Sequence, residues 1–452
     1  MVFSAYLCNN LTGYTRYAFG YDIINLSKYA DSLGLESMPS GLRYPEYYPL
    51  VIMEQKLLRA VAEQTGNAPW VLCYAQDSFS EMVSSLTAFA TGTRQWWWLL
   101  GKKEHVWRPM LQWEQEHEAL VTPNENAGNI ALYFSSFNRS LNPFGGSEWE
   151  LGFSGVGNAL TDENVPFRVI VEDDFKDAAL LRKKADTVLA MNTAVWNKNA
   201  LKEVEKFVRD GGTFITSGNF SMADEKNNKF PDFAAAKMLG FSYDGEIKSA
   251  TALEVPGKNP VTGDFSGKIA YDKRIIKLKN VASDVKVYGS FIAKDGTSHP
   301  AILVRELGKG RIVYFAGSPE RSTFFYFYNI NRITPGQEWK DRRNPEWSRL
   351  WTKIAKSYND KVVFEAKNFP AGVVIEALKH KNKETSGTML TLLNFTSNRP
   401  KGGVQPQLRN YDFPSVAQNR PDKNAPMTLD IYAPGTKKVY LFSLYSPKLL
   451  LE

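Results

Sequence analysis

Cysteine and histidine are scarce in this chain of 452 residues. The two cysteines are Cys8 and Cys73, and the four histidines are His105, His117, His299 and His380. Two cysteines form no disulfide framework and show no zinc-site spacing. Both stand in apolar strand-like runs, which predicts buried thiols. The histidines are scattered, which argues against a histidine-based metal centre, and no cofactor is expected. No apolar run reaches the roughly 20 residues of a membrane-spanning helix. The opening MVFSAYLCNNLTGYTRYAFG lacks a basic start, a long apolar stretch and a small-residue cleavage site. It does not read as a signal peptide, and localisation stays open. Long basic runs are missing too; KDRR at Lys340–Arg343 is the densest. With 55 basic against 48 acidic residues the net charge is +7 and the pI near 9.0. That is a mixed surface, and neither nucleic acid nor a membrane is an expected partner.

What is present is an ordinary globular composition, 43% hydrophobic and 23% charged, with length enough for about two to four domains. Aromatics are abundant at 13%, with 11 Trp. Flat rings suit both aromatic cores and sugar-binding surfaces.

Residues 1–124 read as four strand–helix units. The strands are VFSAYLCNN, SLGLESMPS, PWVLCYAQD and RQWWWLL. Between them fall helices at YDIINLSKYAD, at Pro49 to Gln64 and at EMVSSLTAFATG, and RPMLQWEQEHEALV follows. Met53, Leu57, Ala60 and Val61 recur at helical steps, and Gly66 stops that helix. Ser80 is expected to cap the next helix, and Pro109 to stand near the first turn of the last. Non-alternating apolar strands predict a parallel sheet buried on both sides, half of an eight-stranded β/α barrel. TPNENAGN, Thr122–Asn129, reads as a linker.

Residues 125–333 alternate strand-like runs with helices and end in the hairpin PAILVREL, GKG, RIVYFAG. GFSGVGN is read as a glycine-rich helix start, not a dinucleotide motif. Residues 334–452 hold a bridging helix, PEWSRLWTKIAKSY, and then short strands suggesting a β-sandwich, with a long loop from Arg399 to Pro426. The expected fold class is α/β: a partial barrel, a flavodoxin-like domain and a small all-β domain.

The stretches ALYFSSFNRS, ENVPFRVIVEDD, ADTVLAMN, VEKFVRDGGTFITSGN and HPAILVRELGKGRIVYFAGSPER lie in order over about 190 residues. They resemble the trimerisation domain of the beta-galactosidases of glycoside hydrolase family 42. That domain is similar in fold to class I glutamine amidotransferases. The resemblance implies a barrel before it, a small β domain after it, a carbohydrate substrate and a homotrimer. An amidotransferase needs a cysteine on a strand-to-helix elbow with a histidine nearby. Here the turn is Thr216-Ser217-Gly218-Asn219, with serine in that place and no histidine expected beside it.

Glycoside hydrolysis uses two carboxyl groups flanking the glycosidic oxygen. The family carries its acid/base after the fourth barrel strand and its nucleophile after the seventh. If the four units are strands five to eight, the acid/base strand is absent and the nucleophile falls at about Tyr74. Tyrosine cannot serve as that carboxylate. Glu36 and Asp77, both at strand ends, are the substitute catalytic candidates. Glu36 could instead cap a helix or pair with Arg43, and Asp77 could cap the next helix. Asn9, Tyr74, Gln76, Trp96 and Trp98 are the candidate substrate-binding residues. Trp96 and Trp98 share one side of their strand and Trp97 takes the other.

Half a barrel would leave unpaired edges. A second polypeptide, a second copy or residues before Met1 could complete it. Two functions stay open at this point. One is a beta-galactosidase-like hydrolase, or a portion of one, acting on a galactoside or related glycan. The other is a catalytically inactive relative that binds carbohydrate or assembles.

Overall fold

A computed structural model of the chain describes residues 4–8, 22–37, 48–73, 78–97, 104–118, 124–145, 148–323, 344–359, 362–369, 373–381, 386–394 and 428–431. The long loop expected at Arg399 to Pro426 and the strand expected at KKVYLFSLY lie outside these residues.

Strands β1 (Ser4–Cys8), β2 (Ser32–Ser37), β3 (Ala68–Cys73) and β4 (Arg94–Trp97) pair in that order, all parallel. Parallel neighbours need crossovers, and the expected helices supply them. They are α1 (Ile23–Ser27), α2 (Tyr48–Thr65) and α3 (Ser78–Thr91), with α4 (Glu104–Glu116) following the last strand. Gly66 ends α2 in the left-handed region at φ +74°, where a side chain would be strained. Two details differ from expectation. Helix α3 starts at Ser78, so Ser80 lies inside its first turn and is not its cap. Helix α4 starts at Glu104, so Pro109 stands well inside it, because the residues before the proline already form a turn.

Helix α2 buries Glu54, Gln55 and Lys56 as well as Met53 and Leu57. An amphipathic helix would expose that polar face. This one packs on β2 and β3 and also against the next layer, so Val51 to Leu58 have no side left for water, and the helix meets solvent further on, at Glu63.

The supposed linker holds a strand, β5 (Asn124–Asn126), paired with a strand far along the chain. NEN carries no apolar pattern, so only backbone pairing reveals it. Then β6 (Ile130–Tyr133), β7 (Phe167–Ile170), β8 (Thr187–Ala190) and β9 (Thr213–Ser217) alternate with α5 (Ser136–Leu141), α6 (Glu148–Asp162), α7 (Ala178–Lys184) and α8 (Lys198–Arg209). A short helix, α9 (Ala236–Leu239), precedes β10 (Ser242–Ile247), which pairs with β13 (Ile275–Lys279). Strands β11 (Ala250–Val255), β12 (Gly267–Ala270), β14 (Val285–Ala293), β15 (Ser298–Leu307) and β16 (Gly310–Phe315) join the large sheet.

That sheet has nine strands in the order β12-β11-β14-β15-β16-β9-β8-β6-β7. It is parallel from β16 to β7 and antiparallel beyond. Ile130, Leu132, Leu189, Ile215 and Phe315 face one core, with Phe153 of α6. Ala131, Val188, Phe214 and Tyr314 face the other, with Val204, Phe207 and Val208 of α8. Coverage on both faces is why these strands read as continuous apolar runs.

GFSGVGN lies in the middle of α6, not at a helix start. Its glycines are there for close approach. A Cβ on Gly157 would sit 1.7 Å from Met53 Sδ of α2, and one on Gly155 would sit 2.0 Å from the Glu320 carbonyl oxygen. Helix α10 (Pro345–Lys356) is capped by Asn344, whose Oδ1 accepts from the Glu346 amide at 2.9 Å. Expected as a bridge, it is part of the core, with Trp347, Leu350, Trp351 and Ile354 all buried.

The chain continues as β17 (Phe364–Lys367), β18 (Val373–Lys381), β19 (Ser386–Asn394) and β20 (Thr428–Ile431). They form two small antiparallel sheets, β19-β18-β5 and β17-β20. Ala127, Phe364, Phe369, Ile375 and Ala377 make their shared core. The chain as described is therefore mixed α/β with one large mixed sheet. No helix among the described residues is long and apolar enough to cross a membrane.

Candidate active site

Two sets of strand ends carry polar or aromatic residues. The first belongs to β1–β4. Glu36 stands in register with Cys8 on β1 and with Leu72 on β3, and Leu72 stands in register with Trp96 on β4. Glu36 and Trp96 thus occupy one cross-strand row, two strand spacings apart, roughly 10 Å. One pleat earlier, Trp70 is in register with Gly34 and with Arg94. Alternation along these strands sends Leu33, Leu35 and Val71 into the helix-covered core. Trp96 is 49% exposed. Its ring meets Trp70 edge to face, with centroids 5.5 Å apart and planes at 76°.

Of the sequence candidates, Asn9, Tyr74, Gln76, Asp77 and Trp98 lie outside the described residues. For Glu36 the backbone alone is described, at the carboxyl end of β2. The structure thus brings Glu36 and Trp96 to one end of one sheet.

The second set lies at the ends of β6, β8, β9 and β16. The strand order turns at β6, which lies between β7 and β8, and such reversals open crevices at strand ends in α/β sheets. Here the crevice is filled. Ser217 Oγ donates to Glu320 Oε1 at 2.9 Å and accepts from the Asn192 amide at 3.0 Å. Asn192 Oδ1 accepts from the Asn219 amide at 3.0 Å. Gly218 between them has φ +59°, and a Cβ there would lie 2.3 Å from Asn192 Oδ1. Tyr271 donates its hydroxyl to the Arg274 carbonyl at 2.7 Å and accepts from the Ser318 amide at 2.9 Å. Burial pushes that phenol far up. Ser217 and Glu320 have no exposed surface.

A serine nucleophile needs a base that takes its proton and a path for substrate. Ser217 instead donates a hydrogen bond to the buried Glu320 carboxyl group and has no exposed surface for a substrate to reach. Histidines of known placement lie elsewhere: His117 stacks on Trp113, His299 bonds Thr297, and His380 stands on β18. The expectation that this turn is not an amidotransferase elbow agrees with the geometry.

Sequence reasoning assigned no role to Glu320 or to Glu172. Glu172 accepts from Ser136 Oγ at 3.0 Å and from the Phe137 amide at 3.2 Å, and so holds the start of α5 against β7. Burial pushes its carboxyl up, while those donors oppose the shift. Acidic residues just past strands β7 and β16 were the available signal for both.

The comparisons bear on the larger sheet. Residues 170–331 match the family model of the beta-galactosidase trimerisation domain. The chain resembles the family 42 beta-galactosidases beyond that segment as well. It is 24% identical over 333 residues to the beta-galactosidase LacZ of Lactobacillus acidophilus, covering 69% of this chain and 46% of that protein. LacA of the same species is 22% identical over 336 residues. Among solved structures, the beta-galactosidase from Bacillus circulans sp. alkalophilus aligns with a TM-score of 0.60 at 15% identity, over 80% of this chain and 54% of that one. A catalytic mutant of Gan42B, a GH42 beta-galactosidase from G. stearothermophilus, gives 0.60 at 12% identity, over 87% and 62%. These likenesses establish a shared fold. The chain spans about half the length of the curated relatives it matches.

Proposed function

We propose that this chain is a beta-galactosidase-like glycoside hydrolase, or a portion of one, that hydrolyses O-glycosidic bonds of a galactoside or related glycan. The observation that carries this is the trimerisation-domain match over residues 170–331 together with a 333-residue alignment to a curated beta-galactosidase. An inactive binding or assembly protein is not favoured by these relatives, each of which is named a beta-galactosidase.

The domain reading follows. Residues 1–124 are the carboxyl-terminal half of a β/α barrel, with β1–β4 as its strands five to eight. Residues 125–333 are the amidotransferase-like trimerisation domain, with the flavodoxin-like strand order as support. Residues 334–452 are a linker helix and a small β-sandwich. Assembly is as a homotrimer, and another polypeptide or chain segment completes the barrel. Glu36 and Asp77 are the catalytic carboxylates, and Asn9, Tyr74, Gln76, Trp96 and Trp98 hold the sugar.

The test is hydrolysis of an aryl β-galactoside by the purified chain and by its Glu36→Gln variant. Removing a general acid costs about 10²–10⁴-fold in rate. An unchanged rate in Glu36→Gln removes Glu36 from the mechanism, and absence of both turnover and galactoside binding in the parent overturns the function. A monomeric mass by light scattering overturns the trimer.

A further inference from the structure

Trp70 on β3 and Trp96 on β4 are an aromatic pair on one face of the four-stranded sheet, with Trp96 half exposed. Trp70 lies across Gly34 of the neighbouring strand so closely that a Cβ on Gly34 would fall 2.2 Å from the ring at Cζ2 and 2.4 Å from Cη2. Trp70 Nε1 also donates to Ser32 Oγ on that strand at 3.4 Å. The ring is therefore laid over β2 by two features of β2, one a missing side chain and one a hydroxyl. Trp96 then meets Trp70 edge to face at 5.5 Å and 76°. Aromatic pairs prefer this arrangement because the positive edge of one ring meets the negative face of the other.

We propose that Trp70 is a positioning residue for Trp96, and that Gly34 is the residue that makes this possible. The inference rests on the reading of Trp96 as a sugar-stacking ring. It adds a reason why that ring presents one orientation to a ligand: Gly34 lets Trp70 lie down, and Trp70 sets the tilt of Trp96. Neither Trp70 nor Gly34 need touch the sugar.

The experiment uses the purified full chain and methyl β-galactopyranoside, titrated by intrinsic tryptophan fluorescence, with Trp96→Ala, Trp70→Ala, Trp70→Phe, Gly34→Ala and the Trp70→Ala/Gly34→Ala double variant. Losing an edge-to-face pair is expected to weaken binding about three- to tenfold in Trp70→Ala. Gly34→Ala should weaken it similarly, because its methyl group displaces the Trp70 ring. In the double variant the Gly34 change should add nothing, since the ring it would strike is gone. Trp70→Phe should keep most of the affinity. A second readout does not depend on sugar. The exciton couplet of the indole pair in far-ultraviolet circular dichroism should vanish equally in Trp96→Ala and Trp70→Ala and shrink in Gly34→Ala.

Each failure points to a different step. Trp96→Ala with unchanged affinity, or no binding by the parent chain, removes the sugar-stacking role and this inference with it. Weakened binding in Trp96→Ala with full affinity in Trp70→Phe, Trp70→Ala and Gly34→Ala overturns the positioning role alone. Additive losses in the double variant overturn the route through Gly34. If Trp70→Ala does not fold, Gly34→Ala still decides the positioning role.

Discussion

At the end of β9 the Ser217 hydroxyl uses both its donor and its acceptor capacity inside the protein, on Glu320 and Asn192. At the end of β4 Trp96 keeps 49% of its surface exposed. Both strands are parallel, and both end in residues of functional type. The difference lies in what comes down on top. Over the nine-stranded sheet, Gly155 lets α6 close on the turn that carries Glu320, to a distance no side chain would permit. No helix among the described residues closes on Trp96 in that way. Residue type at a strand end is thus a weak marker of a site, and packing above it decides whether anything can bind.

The strongest way to break the comparison is at the joint between the two sheets. Lys56 of α2 pairs with Glu376 of β18 at 2.9 Å and donates to the Phe167 carbonyl of β7 at 2.7 Å. The side chains are 2% and 5% exposed. Lys56→Met or Glu376→Leu alone leaves one charge buried and should cost about 3–5 kcal/mol in urea unfolding. The double replacement should recover most of that loss or exceed the parent.

The pair also gives a pH signature. Burial holds the Lys56 ammonium down and pushes the Glu376 carboxyl up, in each case against the pull of the partner. For the raised acid, the folded state binds more protons between its unfolded and folded pKa. Its stabilising effect is present at low pH and is lost as pH rises through the folded value. For the lowered lysine the unfolded state binds more protons between the two values, so stability recovers as pH climbs toward the ordinary lysine range. Urea midpoints across pH should show both slopes in the parent and neither in the double variant.

A smaller effect comes at the closed site. Gly155→Ala forces α6 away from a backbone carbonyl and should cost about 1–3 kcal/mol. Ser217→Ala leaves the buried Glu320 carboxylate and Asn192 amide without that hydroxyl, costing about 1–3 kcal/mol, with galactoside turnover unchanged. Lost turnover at full stability would reverse the assignment of the two sites. The smallest stability change belongs to Trp96→Ala, about 0.5–1.5 kcal/mol for the lost edge-to-face contact with Trp70. Its effect should appear in sugar binding instead.

Much of the architecture was legible. The four β/α units and the stop at Gly66 follow from periodicity and glycine placement. Strand β5 was not legible, because Asn-Glu-Asn has no apolar pattern and is held by pairing with Leu378 to His380. The middle of α6 was misread as a helix start, since glycines mark both turns and close helix contacts. The burial of Lys56 was unreadable as well. A lysine on an otherwise periodic helix predicts a solvent face, and only a second layer against α2 removes it.

The sequence by itself determined most of the strands and helices, β5 excepted, because alternation and helical periodicity are local properties of the chain. It also carried the family likeness of the nine-stranded sheet. Tertiary structure decided that the end of β9 is closed while Trp96 on β4 stays half exposed. That choice depends on distances between segments far apart in sequence: Gly155 to Glu320, Gly34 to Trp70, Lys56 to Glu376. Local pattern does not encode such distances, since each is set by how whole layers pack.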